Sequence, residues 1–212
     1  MSKIGFLTDS CSDIPQELAD KYGIEVVGFP INLDGVEYME RKDFTNDQFY
    51  QMMRDAQGVP TTAAITQLQF CDIYARYADE GYTDLVYLSI NAGGSSTYNN
   101  AVKAMELLEE ERPGYTMKIQ VIDSHTYTMC YGYPVAEGAR MAAAGACVEE
   151  IAAYIQDWVD HVRVLFVPFD LKFAKKSGRV SAAAAFVGLM LRLVKNVFAQ
   201  AVAIKAENDY TI

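Results

Sequence analysis

Positive charge is scarce in this sequence. Its 18 lysines and arginines face 28 aspartates and glutamates, a formal net charge of −10. Proteins that grip a nucleic-acid backbone have the opposite balance, so that class is set aside. Cysteine is also sparse: Cys11, Cys71, Cys130 and Cys147 form no C-x-x-C pair. This spacing argues against a zinc site or a disulfide framework and for reduced thiols in the cytoplasm. Long apolar runs are missing. The most apolar tract, Ala182 to Leu191, stops at Arg192, short of the roughly 18 residues that span a bilayer. The run from Ile4 is cut off by Thr8 and Asp9 and is too short for a secretory signal. Neither the G-x-x-x-x-G-K-S/T loop nor the G-x-G-x-x-G loop occurs. What is present is globular in composition: 212 residues, 51% hydrophobic and 22% charged. That length fits one large domain or two small ones with a sizeable core.

Alternating strand and helix signals predict an α/β fold with a mainly parallel sheet and flanking helices. Buried strands are expected at Ile4–Thr8, Glu25–Phe29, Asp84–Ser89 and Met117–Ile122. Asp34-Gly35 between Ile31–Leu33 and Val36–Tyr38 predicts a hairpin. Asp13-Ile-Pro-Gln, Thr45-Asn-Asp-Gln and Thr66-Gln-Leu-Gln read as helix starts, with Asp13, Thr45 and Thr66 as caps. The stretch from Val59 to Ile65 reads as a loop. Further helices are expected over Thr97–Glu111, Tyr131–Ala144 and Val148–Val162. Val164–Val167 then reads as a strand, Leu171–Lys176 and Ser181–Leu193 as helices, and Val197–Ile204 as a strand.

Polar loops fall where strands end, which is where open α/β sheets bind ligands. In Asn91 to Tyr98, Gly93 and Gly94 permit close backbone approach, and Ser95, Ser96 and Thr97 lead into a helix whose free N–H groups favour an anion. The same residues also make ordinary caps and turns. Thr61 and Thr62 offer hydroxyls, or form a plain loop before a capped helix. Asp9 and Asp13 are able to hold Mg²⁺ or act as acid and base, or serve only as caps. Asp123-Ser124-His125 has the residue types of a catalytic triad, but neighbours in sequence rarely converge as one. His161 reads as a partner for a helix dipole, and Lys175, Lys176 and Arg179 form a small basic cluster. Neutral hydroxyls, a helix N-terminus and nine adaptable methionines suit a carboxylate head with a long apolar tail.

Five ordered segments resemble the DegV family of fatty-acid-binding proteins. They are Thr8-Asp9-Ser10-x-x-Asp13-x-Pro15, Pro60-Thr61-Thr62, Leu88-Ser89 with Ser95-Ser96-Thr97-Tyr98, Val121-Ile122-Asp123-Ser124 with Gly132, and Asp170-Leu171 with Lys176-Ser177-Gly178-Arg179-Val180-Ser181. The resemblance implies a two-part α/β fold with a fatty acid between the parts. One part would take about 1–80 and 117–170, the remainder forming the other. It implies a carrier, not an enzyme, with no cofactor, that presents the ligand carboxylate to a separate fatty acid kinase subunit. By motif position, Thr61 or Thr62 and Ser95 would hold the carboxylate, with Arg179 in the conserved turn. The chain departs from the family pattern in four places. The loop from Ser89 to Thr97 is about two residues longer, Ser96 replaces a glycine, Ala63-Ala64-Ile65 replaces the usual Q-P, and Asn196 stands where the family often has proline. It also stops at Ile212, before the family's usual C-terminal histidine, which reads as a C-terminal part that is incomplete. Two alternatives remain at this point: a Mg²⁺-dependent phosphoryl-transfer or hydrolytic enzyme using Asp9, Asp13 and Asp123, and a non-binding interaction module.

Overall fold

A computed structural model describes residues 2–164 and 193–205 of the chain. In chain order the strands are β1 (Ile4–Asp9), β2 (Ile24–Val27), β3 (Pro30–Leu33), β4 (Val36–Met39), β5 (Thr61–Thr62), β6 (Asp84–Ser89) and β7 (Lys118–Asp123). The helices are α1 (Gln16–Tyr22), α2 (Asn46–Asp55), α3 (Gln67–Asp79), α4 (Thr97–Glu111), α5 (Met129–Ala143) and α6 (Val148–His161). The chain divides into two units, residues 1–164 and 165–212, and all these elements belong to the first. Within the second, residues 193–205 are helical. The strand expected over Val197–Ile204 is therefore corrected. Val194, Val197, Phe198, Ala201 and Val202 recur at helical spacing, and that period outweighs the β propensity of valine. The elements expected between residues 165 and 192 lie outside the described residues.

The apolar runs assemble a four-stranded sheet in the order β2-β1-β6-β7, parallel throughout. Leu7 pairs with Tyr87, and Leu88 with Ile122. Every residue of β6 is buried, so both of its faces are covered. Helix α5 packs on α1, α6 and β1, while α4 packs on α3 and β7. Burial of Phe6, Leu7, Phe70, Tyr74, Leu85, Leu88, Leu108, Ile151 and Ile155 joins these layers into one core. The strand order places a switch point between β1 and β6. From β1 the chain turns to β2 on one side, and from β6 to β7 on the other. A crevice for ligands is expected at the carboxyl ends of those two strands.

A smaller antiparallel sheet, β4-β3-β5, carries the predicted hairpin. Its turn needs positive φ at two successive residues, and Asp34 (51°) and Gly35 (86°) supply it. Thr45 and Thr66 close reciprocal capping boxes with Gln48 and Gln69, as their spacing predicts. Two expectations are corrected. Thr61 and Thr62 are strand rather than loop, because β3 offers Asn32 and Ile31 as partners. Asp13 does not cap α1. It adopts a left-handed conformation (φ 51°) that closes the 3₁₀ turn Ser10–Ser12, and Pro15 precedes the helix. Strand β6, which the expected partition put in the second part, lies between β1 and β7 in the large sheet.

Candidate functional site

The loop leaving β6 is held from both neighbouring strands. From β1, the Asp9 carboxylate accepts the Ile90 N–H at 2.9 Å. From β7, Asp123 accepts the Ala92 N–H at 3.0 Å. Between them the Asn91 N–H donates to the Thr126 carbonyl at 3.2 Å. Gly93 N–H then bonds the Asn91 side chain (2.8 Å) and Gly94 N–H the Asn91 carbonyl (3.0 Å). Both glycine donors are thus spent within the loop. A Cβ at Gly94 would lie 2.4 Å from the hydroxyl of the exposed Tyr127 side chain, so a larger residue there would displace that ring.

The next residues join the two sheets' loops. Thr97 is buried. Its Oγ1 lies 2.9 Å from Ser95 Oγ and accepts the Ile65 N–H at 3.3 Å. Ser95 Oγ also accepts the Thr97 N–H at 3.3 Å, while Ser96, the residue before α4, makes no capping bond. Asn100 donates to the Ile65 carbonyl at 2.8 Å. Ile65 is fully buried, and only Ala63 and Ala64 separate it from the exposed β5 pair Thr61 and Thr62. Thr97 and Asn100 therefore tie the start of α4 to the segment that follows Thr61 and Thr62. Ser95 is half-buried, and Gly93 and Ser96 are exposed. Arg179, with Lys175 and Lys176, lies outside the described residues.

The aspartates have other duties. Asp9 is fully buried at the switch point. Its carboxylate accepts the Tyr131 hydroxyl (2.5 Å), the Tyr87 hydroxyl (3.1 Å) and the Ile90 N–H. Burial pushes its carboxyl up to about 6, with these donors pulling the other way. Asp123 also accepts the His125 N–H at 3.0 Å, and its second oxygen lies 3.0 Å from His125 Nδ1. Burial raises Asp13, opposed by Arg41. Each aspartate has its own partners, and among the described residues no three His, Cys, Asp or Glu side chains are grouped to hold a metal. Ser124 Oγ bonds the Thr126 backbone, at 3.2 Å to both its carbonyl and its N–H, so it does not complete a triad with His125 and Asp123. His161 sits at the end of α6, Nδ1 2.7 Å from the Asp157 carbonyl, as a dipole partner would. The turn after β7 is strained: His125 has φ 51°, and Thr128, a β-branched residue, has φ 60° and ψ −154°. Sequence reading missed Tyr87, Asn100, Tyr127 and Tyr131. Tyr87 alternates within an apolar strand and Tyr131 opens a helix, and nothing local marks either as a partner of Asp9.

Comparison with known proteins supplies the family. A sequence profile whose description is "Uncharacterised protein, DegV family" matches residues 3–198. A DegV domain-containing protein of Clostridium perfringens is 33% identical over 187 residues, 88% of this chain and 65% of the relative. Among solved structures, a fatty-acid-binding DegV family protein from Thermus thermophilus is 30% identical with a TM-score of 0.73, covering 88% of this chain and 64% of that one. A stearic acid-binding protein from Eubacterium ventriosum is 27% identical with a TM-score of 0.65, over 74% of this chain and 52% of that one. The chain spans just under two thirds of the length of the first two of these relatives. It belongs to the DegV family.

Proposed function

We propose that the chain binds a long-chain fatty acid and presents its carboxylate to a separate fatty acid kinase subunit in the cytoplasm. The observation that carries this reading is the hydroxyl relay at the start of α4. Thr97 Oγ1 accepts from Ile65 and is placed to donate to Ser95 Oγ, which also accepts the Thr97 N–H. Either hydroxyl of this pair is able to donate to the other; with Thr97 as donor, both Ser95 lone pairs are used and its own proton is free for a ligand. Thr61 and Thr62 add exposed hydroxyls from the strand that Ile65 anchors. The N-terminus of the 15-residue α4 adds a positive dipole end.

Such a site holds a carboxylate with neutral donors. The ligand keeps its negative charge, and an oxygen remains nucleophilic enough to bond the γ-phosphorus of ATP on the kinase as ADP leaves. The apolar tail would add about 0.8 kcal/mol for each buried CH₂. Ser95 with Thr61 or Thr62 are the carboxylate donors in this reading, and Gly93, Gly94 and Ser96 shape the loop that carries Ser95. The solved relatives from Thermus thermophilus and Eubacterium ventriosum, described as binding fatty acid, support it.

Native mass spectrometry of the chain purified from bacteria, with lipid extraction, tests the binding step. Adducts of acyl-chain mass are expected. A chain that arrives empty and takes up no added fatty acid rejects the proposal. Adding a fatty acid kinase, ATP and hydroxylamine tests the second step, with an acyl hydroxamate as the expected product.

A further inference from the structure

Asp9 is an unusual expense in the core. It lies at the carboxyl end of β1, beside the switch point where open α/β sheets bind ligands, yet it is fully buried. It touches three separate pieces of the molecule: Tyr87 in the middle of β6, Tyr131 in the first turn of α5, and the backbone of Ile90. A side chain that only filled space here would be apolar, because a buried charge destabilises the fold unless donors surround it. The Ile90 contact sets this carboxylate apart from an ordinary core network. Ile90 is the first residue after β6, and Ser95 follows five residues later on a loop whose other early anchors, Asn91 and Ala92, are also held through their backbone N–H groups.

Resting on the fatty-acid reading above, we propose that Asp9 is a positioning residue for the ligand carboxylate: through the Ile90 N–H it fixes the loop that presents Ser95, and Tyr131 fixes Asp9. Tyr131 binds the carboxylate oxygen opposite the one that accepts Ile90. Rotation of the carboxylate would therefore break one bond or the other. The loop's register is tied in this way to the first turn of α5, whose Gly132 approaches the Ser12 carbonyl so closely that a Cβ would sit 2.4 Å from it. Asp9 touches no ligand in this scheme. It acts on the headgroup through Ile90 and leaves the tail alone.

The test compares two fluorescent acyl probes of equal length, one a free acid and one its methyl ester, on the full 212-residue chain. Asp9→Ala should weaken the acid about tenfold, the loss of one charge-assisted hydrogen bond, and the ester less than about twofold. Asp9→Asn keeps an oxygen for Ile90 and should restore most of the acid's affinity. Amide exchange at Ile90 to Ser95 should accelerate in Asp9→Ala and stay slow in Asp9→Asn. Where Asp9→Ala fails to fold, Tyr131→Phe carries the same comparison, with a smaller loss confined to the acid. Equal losses for acid and ester, or unchanged exchange in the loop, overturn this inference while leaving the proposed function standing. Failure of the unsubstituted chain to bind the free acid overturns both.

Discussion

The two sheets of the first unit meet the candidate site on different terms. The parallel sheet is deep: all six residues of β6 are buried, and the loop that follows is gripped from β1 and β7 by carboxylates. The antiparallel sheet is shallow. Val36 and Glu37 of β4 and both residues of β5 are exposed, and α2 buries none of its side chains. A few hydrogen bonds attach it to the rest. Ser10 accepts from Phe29 and donates to Glu40, Arg41 donates to the Ile14 carbonyl, and Thr97 and Asn100 hold Ile65. One half of the site is thus held by core packing on both faces, the other by the few buried side chains Ile31, Leu33 and Ile65 and a short set of polar ties. Local opening should begin in the second half.

The widest gap between the sheets should appear in large-to-small substitutions. Leu88→Ala, in fully buried β6, should cost about 2–5 kcal/mol through lost burial and a cavity. Val36→Ala, at a residue 51% exposed, should stay within about 0.5 kcal/mol. Urea unfolding of both variants measures the contrast, and similar costs would erase the distinction between the two layers.

A pH series probes the same contrast electrostatically. Folded Asp9 titrates at about 6 against 3.8 for the free group, so the native chain holds this proton more tightly than the unfolded chain does. Stability from this group is therefore greatest below pH 4, falls as pH rises towards about 6, and is flat above. Over the whole window the loss amounts to ~3 kcal/mol. Tyr87 from β6 and Tyr131 from α5 face Asp9, with the backbones of Ile90 and Cys11. Neither tyrosine ionises in this range, since burial raises both. The stability lost between pH 4 and pH 7, measured by urea unfolding, should be larger in the chain than in its Asp9→Asn variant by most of this amount. Parallel profiles would remove Asp9 from the account.

The tie between the sheets should be weaker than either effect. Thr97→Val keeps shape but leaves the buried Ile65 N–H without its acceptor, a loss of about 1–3 kcal/mol. Hydrogen exchange should rise most at Ala63 to Ile65, leaving β6 protected. Uniform exchange across both sheets would mean that they open as one piece.

What the sequence disclosed follows the same division. The bounds of β6 and α4 were legible to the residue, because an apolar run between polar turns and the stop at Pro113-Gly114 are local signals. The capping boxes at Thr45 and Thr66 and the Asp34-Gly35 turn were legible for the same reason. Strand β5 was not, since two threonines become strand only when β3 is beside them. The surroundings of Asp9 were hidden more deeply: Tyr87 and Tyr131 lie 78 and 122 residues away along the chain. Gly93 and Gly94 were marked as loop formers, but which partner their N–H groups choose depends on Asn91 and on its tethers to β1 and β7. Local chemistry named the hydroxyls, and the tertiary structure decided what holds them.

A substitution with little expected effect on stability still carries a consequence for function. Thr61 lies exposed on β5, opposite Asn32, and its side chain fills no core space. Thr61→Ala should leave unfolding free energy within about 0.5 kcal/mol of the original. If β5 presents a carboxylate donor, the same change should weaken a fluorescent fatty acid by about fivefold to tenfold, as loss of a hydrogen bond to a charged group does. Ser95→Ala should act likewise. Ser124→Ala should instead lower stability by about 1 kcal/mol with little change in binding, because that hydroxyl is buried against the Thr126 backbone. Titration beside thermal unfolding separates the two behaviours. Full affinity in Thr61→Ala would shift the headgroup away from Thr61, towards Thr62 or the parallel sheet and Ser95 alone.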